Sequence, residues 1–356
     1  MQASNNDVTA ETSNDDKENL LDKPMTQEEK NAKLFNPVYS YFVLFVVLAA
    51  RIMVQWQRKG LNYAYGYTGL GEMRNNPIYE IATAYPQLKN WYGLLVGLIY
   101  TVPYSFFGLV AGKISDSVNR KIYLGLVLIL AGATCGVTGF FDSFFMLGAM
   151  RVLHGMLNSS SNPLSFSLIS DYFPPEKRAT ANSIIQAGNY IGVAVSSFSI
   201  LLITSFGWRA QYGIMAALGT LFGVMTMLTV KEPERGRFLD EATKKKEAEK
   251  KAQKEAEKAN QGNPLAAFIK NIGVVFTLPT AKNVLIASSL RNFGGMIVSS
   301  FLPVFFGRNF PAFKAEYAML NALALSGCGL AASIGGGIIA DKFEKKSYWT
   351  KALLCI

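Results

Sequence analysis

Four ionisable side chains interrupt stretches that are otherwise apolar: Arg51, Arg151, His154 and Arg291. No Asp or Glu accompanies them between the ends of those stretches. Cations are costly in an apolar medium unless an anion or a set of acceptors meets them. A guanidinium is planar and forks onto carboxylate or phosphate in a bidentate way. The chemistry these residues suggest is recognition of an anionic group on a solute. The bland alternative is that each arginine pairs with backbone carbonyls or reaches an interface along its apolar stem. His154 is the sole histidine and the one group at that depth that titrates near neutrality. A polar run, Asn158, Ser159, Ser160, Ser161 and Asn162, follows Arg151 in the same stretch. Gln186, Asn189 and Asn292 add amides elsewhere. These polar groups are unlike lipid-facing residues, and line a cavity or bond helix to helix. No nucleophile, metal-ligand cluster or cofactor loop is apparent, so neither an enzyme nor a cofactor is expected.

The elements that must position these groups are membrane spans. The chain is 50% hydrophobic and only 17% charged, against about 25% charged in soluble domains. Crossing the hydrocarbon core takes about 20 mostly apolar residues. Eight stretches qualify: 37–56, 91–113, 121–142, 144–168, 179–205, 208–230, 283–306 and 316–340. A ninth begins at Tyr348 and is cut at Ile356. Helices are expected, because lipid leaves backbone groups no outside partner. Pro103 and Pro303 can kink two of them. The three cysteines, Cys135, Cys328 and Cys355, read as small apolar residues. The net charge of +10 comes mostly from loops between spans, where the positive-inside rule puts it. Nucleic acid is not an expected partner, since no basic patch is interleaved with aromatics. The loop charges place the N terminus in the cytoplasm, although the first loop, 57–90, is an exception that carries Arg58, Lys59, Arg74 and Lys89. Between Glu241 and Lys258 the sequence alternates acids and bases without an apolar face, as a solvated linker helix does. In the polar tail, Asp16, Leu20 and Leu21 have the spacing of an acidic dileucine sorting signal.

An internal repeat is the sharpest signal. Gly112, Asp116, Arg120 and Lys121 close the second span, and Gly337, Asp341, Lys345 and Lys346 recur at the same spacing after the eighth. Glycine lets a neighbouring helix approach. The Asp can cap a helix start, with its charge favoured by the dipole there. The basic pair can neutralise that Asp and anchor to headgroups. This pattern resembles motif A of the major facilitator superfamily, which stabilises one of the alternating-access states. Ser117 and Asn119 depart from the usual motif. Arg151 to Gly155 resembles the superfamily's R-x-x-x-G motif, and the series around Asp171, Gly207 and Lys231 resembles the spinster-like branch, which moves lysophospholipids and sphingolipids. That branch usually has an Asp where this chain has Ala50 and a Glu where it has Asn158. The absence of both puts proton coupling in doubt.

The expected fold is an all-α polytopic membrane protein with a major facilitator architecture. It comprises a cytoplasmic tail (1–36), a six-helix N-terminal bundle (37–230), a charged linker (231–280) and a partial C-terminal bundle (281–356). The expected function is transport of a small organic solute, anionic or amphipathic like a lysolipid. The rival is a truncated membrane protein that binds a partner and transports nothing. Substrate contacts are assigned to Arg51, Arg151, His154, Asn158, Asn162, Gln186, Asn189 and Arg291, and gating to the two motif A copies. The membrane, endolysosomal or plasma, stays open.

Overall fold

A computed structural model describes residues 34–67, 76–115, 117–238 and 279–332, with the single residues 249 and 277. Among these no strand occurs. Helix α1 runs Pro37–Gly66, with Asn36 accepting from the Tyr39 N–H and Pro37 opening the first turn. At 30 residues it is about 45 Å long. The sequence reading ended this span at residue 56 and put Arg58 and Lys59 in a loop. The helix instead continues, because Leu61, Tyr63 and Ala64 are buried against other helices. Protein, not lipid, receives the last turns, so an unbroken apolar run is not required there.

The second span is α3 (Leu88–Val96) and α4 (Leu98–Ser115), broken at Gly97. The third is α5 (Arg120–Phe140), whose first turn is capped by Asn119. The motif position where glycine is usual thus serves here as a helix cap. The fourth is α6 (Phe144–Asn158) and α7 (Ser161–Tyr172), separated at Ser159 and Ser160. Helix α8 (Pro175–Ser197) and the first turns of α9 (Ser199–Thr229) make the fifth, and the rest of α9 makes the sixth. Beyond the linker stand α10 (Pro279–Asn309) and α11 (Lys314–Leu323), the latter continuing through a π turn, Ala324–Cys328. Among the described residues, five helical segments are both long and apolar enough to cross a membrane: Pro37–Gly66, Leu88–Gly112, Arg120–Phe140, Ser199–Thr229 and Pro279–Asn309.

We call the end of the bundle holding Pro37 proximal and the end holding Gly66 distal. The distal end turns at Gly207, whose φ is +85°, a conformation that suits glycine. A methyl there would also stand 2.9 Å from the Tyr79 Cα. The loop above it folds over buried Trp208, whose indole N–H donates to the Pro77 carbonyl at 3.3 Å. Short helix α2 (Ile81–Ala84) belongs to this cap. Next to it, the Tyr85 hydroxyl donates to the Phe141 carbonyl at 2.5 Å. Arg209 donates to the Gly139 carbonyl at 2.6 Å and pairs with Asp142. The centre is held by small residues. A methyl at Gly132 would lie 3.0 Å from the Ala216 carbonyl oxygen, and one at Gly223 would lie 2.8 Å from that of Gly125. Helices α5 and α9 therefore touch almost backbone to backbone.

The proximal end is fastened by charge. Arg120 is 1% exposed and binds Asp171 at 2.6 Å and Glu232 at 2.7 Å, while also donating to the Ser167 and Pro233 carbonyls. The Glu232 carboxylate accepts the Lys121 N–H, and Asp171 accepts that of Gly236. Arg235 reaches the Ser115 and Val118 carbonyls of the motif loop. The tyrosines Tyr39 and Tyr172 bond the backbone at Thr229 and Lys231. Residues 231–238, the start of the charged linker, are thus bound to the bundle, with Phe238 buried. Arg120 was expected to serve Asp116 and the headgroups. Among the described residues its partners are internal, and its donors reach the Asp171 and Glu232 carboxylates at once.

Replacing Asp171 by Asn leaves Arg120 half-paired in a buried site and is expected to lower stability by about 3 kcal/mol. Thermal unfolding in detergent reads this as a lower Tm. In the same assay Gly207→Ala is expected to cost about 1–3 kcal/mol. Gly213→Ala, where the added methyl meets nothing within 4 Å, should leave Tm near that of the parent.

Candidate functional site

The arginines of the first and fourth spans are both 5% exposed. Arg151 projects from α6 and donates to the Arg58 carbonyl at 3.3 Å through Nη1. Its guanidinium carbon lies 5.3 Å from the centroid of the Tyr100 ring. Arg58, seven residues after Arg51 on α1, lies 5.2 Å from the same ring and 5.9 Å from that of Tyr104. Cation–ring attraction partly compensates for dehydration but leaves the positive charge in place. The R-x-x-x-G spacing explains how Tyr100 gets there. A methyl at Gly155 would lie 2.5 Å from the Tyr100 carbonyl oxygen. Glycine one turn past Arg151 therefore admits the α4 backbone and brings its tyrosine to the guanidinium.

Arg51 donates to the Ser161 hydroxyl at 3.2 Å, and its stem lies over Gly188 of α8, where a methyl would be 3.1 Å from the Arg51 Cγ. A serine hydroxyl is the acceptor in a chain that has Ala50 instead of a preceding Asp. Lys59 sends its ammonium to the Ser299 hydroxyl of α10 at 2.7 Å. Arg58 and Arg151 act on it through their like charge. Four cations, Arg51, Arg58, Lys59 and Arg151, thus share one region. None has a carboxylate partner among the described residues. Arg51 Nε, Arg151 Nε and Asn158 Oδ1 are buried and have no hydrogen-bond partner there.

The amides extend this surface. Asn162 donates to the Tyr104 hydroxyl at 3.0 Å. Gln55 donates to Asn189 at 2.7 Å, and Asn189 donates to Gln186 at 2.8 Å, forming a ladder across α1 and α8. His154 is used internally. Its Nδ1 meets the Thr134 hydroxyl at 2.8 Å, and its Nε2 meets the Asn158 amide nitrogen at 2.8 Å. The Thr134 hydroxyl donates to the Ala131 carbonyl. His154 Nδ1–H must then be the donor toward Thr134, while Nε2 accepts from Asn158, which is a neutral imidazole with both nitrogens occupied.

The structure brings Arg51, Arg151, Asn158 and Asn162 together through Ser161, Tyr100 and Tyr104, while Gln186 and Asn189 meet α1 at Gln55. Arg291 stands apart, exposed on α10 with no hydrogen-bond partner among the described residues. Arg58, Lys59, Gln55 and the two tyrosines were missed. The signal for the cations was the spacing 51 to 58, two helical turns along one face, hidden by ending the span too early. Of the gating residues, Gly112 has nothing within 4 Å of an added methyl. Among the described residues no helix approaches it closely. Asp116, Gly337, Asp341, Lys345 and Lys346, and the tail residues Asp16, Leu20 and Leu21, lie outside the described residues, as does nearly all of the alternating charged linker.

Residues 40–356 match the profile of the Major Facilitator Superfamily. Among curated relatives, the chain is 24% identical over 186 residues to the hexuronate transporter of Bacillus subtilis, covering 51% of this chain and 42% of that protein. It is 24% identical over 175 residues to the galacturonate transporter of Dickeya chrysanthemi, covering 47% of this chain and 50% of that protein. The chain thus spans half or less of these relatives. Among solved structures, it resembles a bacterial homologue of the human lysosomal transporter Spinster in an inward-facing, unoccupied conformation. The TM-score is 0.62 at 19% identity, covering 88% of this chain and 64% of that one. With its apolar helices, motif spacing and six-span bundle, this multi-pass membrane chain belongs to the Major Facilitator Superfamily.

Proposed function

We propose that the protein transports a small organic anion by alternating access, holding its acidic group at Arg51, Arg58, Lys59 and Arg151. The observation that carries this reading is the set of four cations meeting only neutral acceptors and tyrosine rings. An anion supplies the missing charge, and guanidinium forks grip it in two places. The Gln55–Asn189–Gln186 ladder offers donors and acceptors for hydroxyl groups. Relatives named for hexuronate and galacturonate support this chemistry, since both solutes are carboxylates with several hydroxyls. No covalent step is part of the cycle. The basic groups clustered at the proximal end favour a cytoplasmic N terminus. The inter-bundle contacts of α10 lie toward the distal end.

A second reading is an amphipathic anion of the lysolipid kind. An apolar groove of about 170 Å³, lined by Phe107, Val110 and Leu153, has Ser159 and Ser160 among its walls. An acyl chain in that groove could keep its headgroup near the cations.

Uptake into proteoliposomes separates these readings. Galacturonate should enter, whereas galactose, its neutral counterpart, should not, and excess lysophosphatidate should compete only if the amphipathic reading holds. Arg151→Gln should reduce anion uptake more than tenfold, and Arg151→Lys should not restore it, because an ammonium cannot fork. Equal galactose uptake, indifferent to Arg151→Gln, would sink the anion reading. Tyr100→Leu removes the ring shared by two guanidiniums and is expected to raise KM about fivefold, the scale of one cation–π contact.

A further inference from the structure

The contact between the bundle of the first six spans and α10 combines apolar packing, with Tyr92 edge-on to Phe301 and Val304 in the core, with a polar cluster at Ser299 and Ser300. Lys59 binds the Ser299 hydroxyl at 2.7 Å. Asn62 donates to the Ser299 carbonyl at 3.4 Å. Tyr92 donates to the Ser300 carbonyl at 2.6 Å. The sequence explains why α10 has a carbonyl to offer. Pro303 lies inside this helix, and with no N–H of its own it leaves the carbonyl four residues back, that of Ser299, without its helical donor. The proline thus leaves an acceptor, and Asn62 occupies it. Further along, the helices close without side chains between them. Gly66 stands against the Pro303 backbone, and a methyl at Gly66 would be 3.0 Å from the Pro303 carbonyl oxygen.

Lys59 differs from the other members of this contact. It is a cation held by one hydroxyl, with Arg58 and Arg151 acting on it by like charge. A hydroxyl offers a lone pair but no countercharge. An anion at Arg58 and Arg151 offers both, adding the attraction of opposite charges to the kind of hydrogen bond that Ser299 already accepts. The same ammonium therefore has two competing partners, one on α10 and one in the solute.

We infer that Lys59 is the residue through which the anion releases the distal latch: when the solute's acidic group arrives, Lys59 leaves Ser299 for it, and the contact between α10 and the first bundle loosens. This rests on the anion reading given above. Lys59 then acts twice, as a solute contact and as a positioning residue for α10. A solute without an acidic group cannot trigger the exchange, so the latch also selects.

The test uses the full chain with spin labels at exposed Ile78 and Asn309, Cys328 and Cys355 replaced by serine, and galacturonate as the probe. Distance distributions are read by pulsed electron resonance, and binding is read separately by calorimetry. In the parent, galacturonate should shift the distribution toward longer distances and galactose should not. Ser299→Ala should raise the population of the longer distance more than about tenfold without ligand, the scale of one hydrogen bond to a charged group. Lys59→Met should show the same ligand-free increase and no further shift with galacturonate. If the parent binds and responds but Lys59→Met responds equally, or Ser299→Ala leaves the ligand-free distribution unchanged, the latch is wrong and the anion site stands. If the parent binds no galacturonate and does not move, the anion reading fails and the exchange fails with it. A merely structural Lys59 would change the Tm of the variant and leave the response to the anion intact.

Discussion

A positive charge held in a low-dielectric interior by neutral groups alone is the constraint on which this bundle turns. Arg51 leans on a serine, Arg151 on a carbonyl and a ring, Arg58 on two rings and Lys59 on another serine. None of these partners cancels charge. Much of the surrounding packing holds the four in place: Gly155 admits α4, and Gly188 admits the stem of Arg51. At the proximal end the opposite solution appears. Arg120 is neutralised twice over and buried almost completely. One chain thus contains a cation with nothing left to gain and several that gain most from a guest. The first kind suits a fastening, and the second suits recognition.

Much of the architecture could be read from the sequence because lipid imposes simple rules. Apolar length located the helices, and the repeated motif pointed to a two-bundle family. What escaped notice was the protein-facing part of the first helix. Arg58 and Lys59 look like loop residues when only hydropathy is consulted. They are embedded because tyrosine rings and α10 surround them. Hydropathy reports contact with lipid, and these residues contact protein. Arg291 illustrates the converse: its depth in a span was readable, but its neighbours depend on how helices pack around it.

Partner choice was less legible than position. His154 and Arg120 were both noticed as chemically able. His154 has each nitrogen engaged by Thr134 and Asn158. Arg120 turns from its own loop toward Asp171 and Glu232, more than fifty residues away along the chain in each case. Spacing along one helix foretells which side chains share a face. It carries no information about which distant helix will supply the acceptor.

The seam between α5 and α9 has a consequence for how the protein is made. Its two sides are separated in the chain by the whole of the fourth and fifth spans. When α5 enters the membrane, the helix that will cover Gly125 and Gly132 has not yet been synthesised. Small residues suit that wait, since a face of glycine, alanine and threonine exposes little to the lipid and offers little for a wrong helix to grip. This backbone-close joint of the bundle is thus also among the last of its joints to close, and insertion of the first five spans proceeds without it.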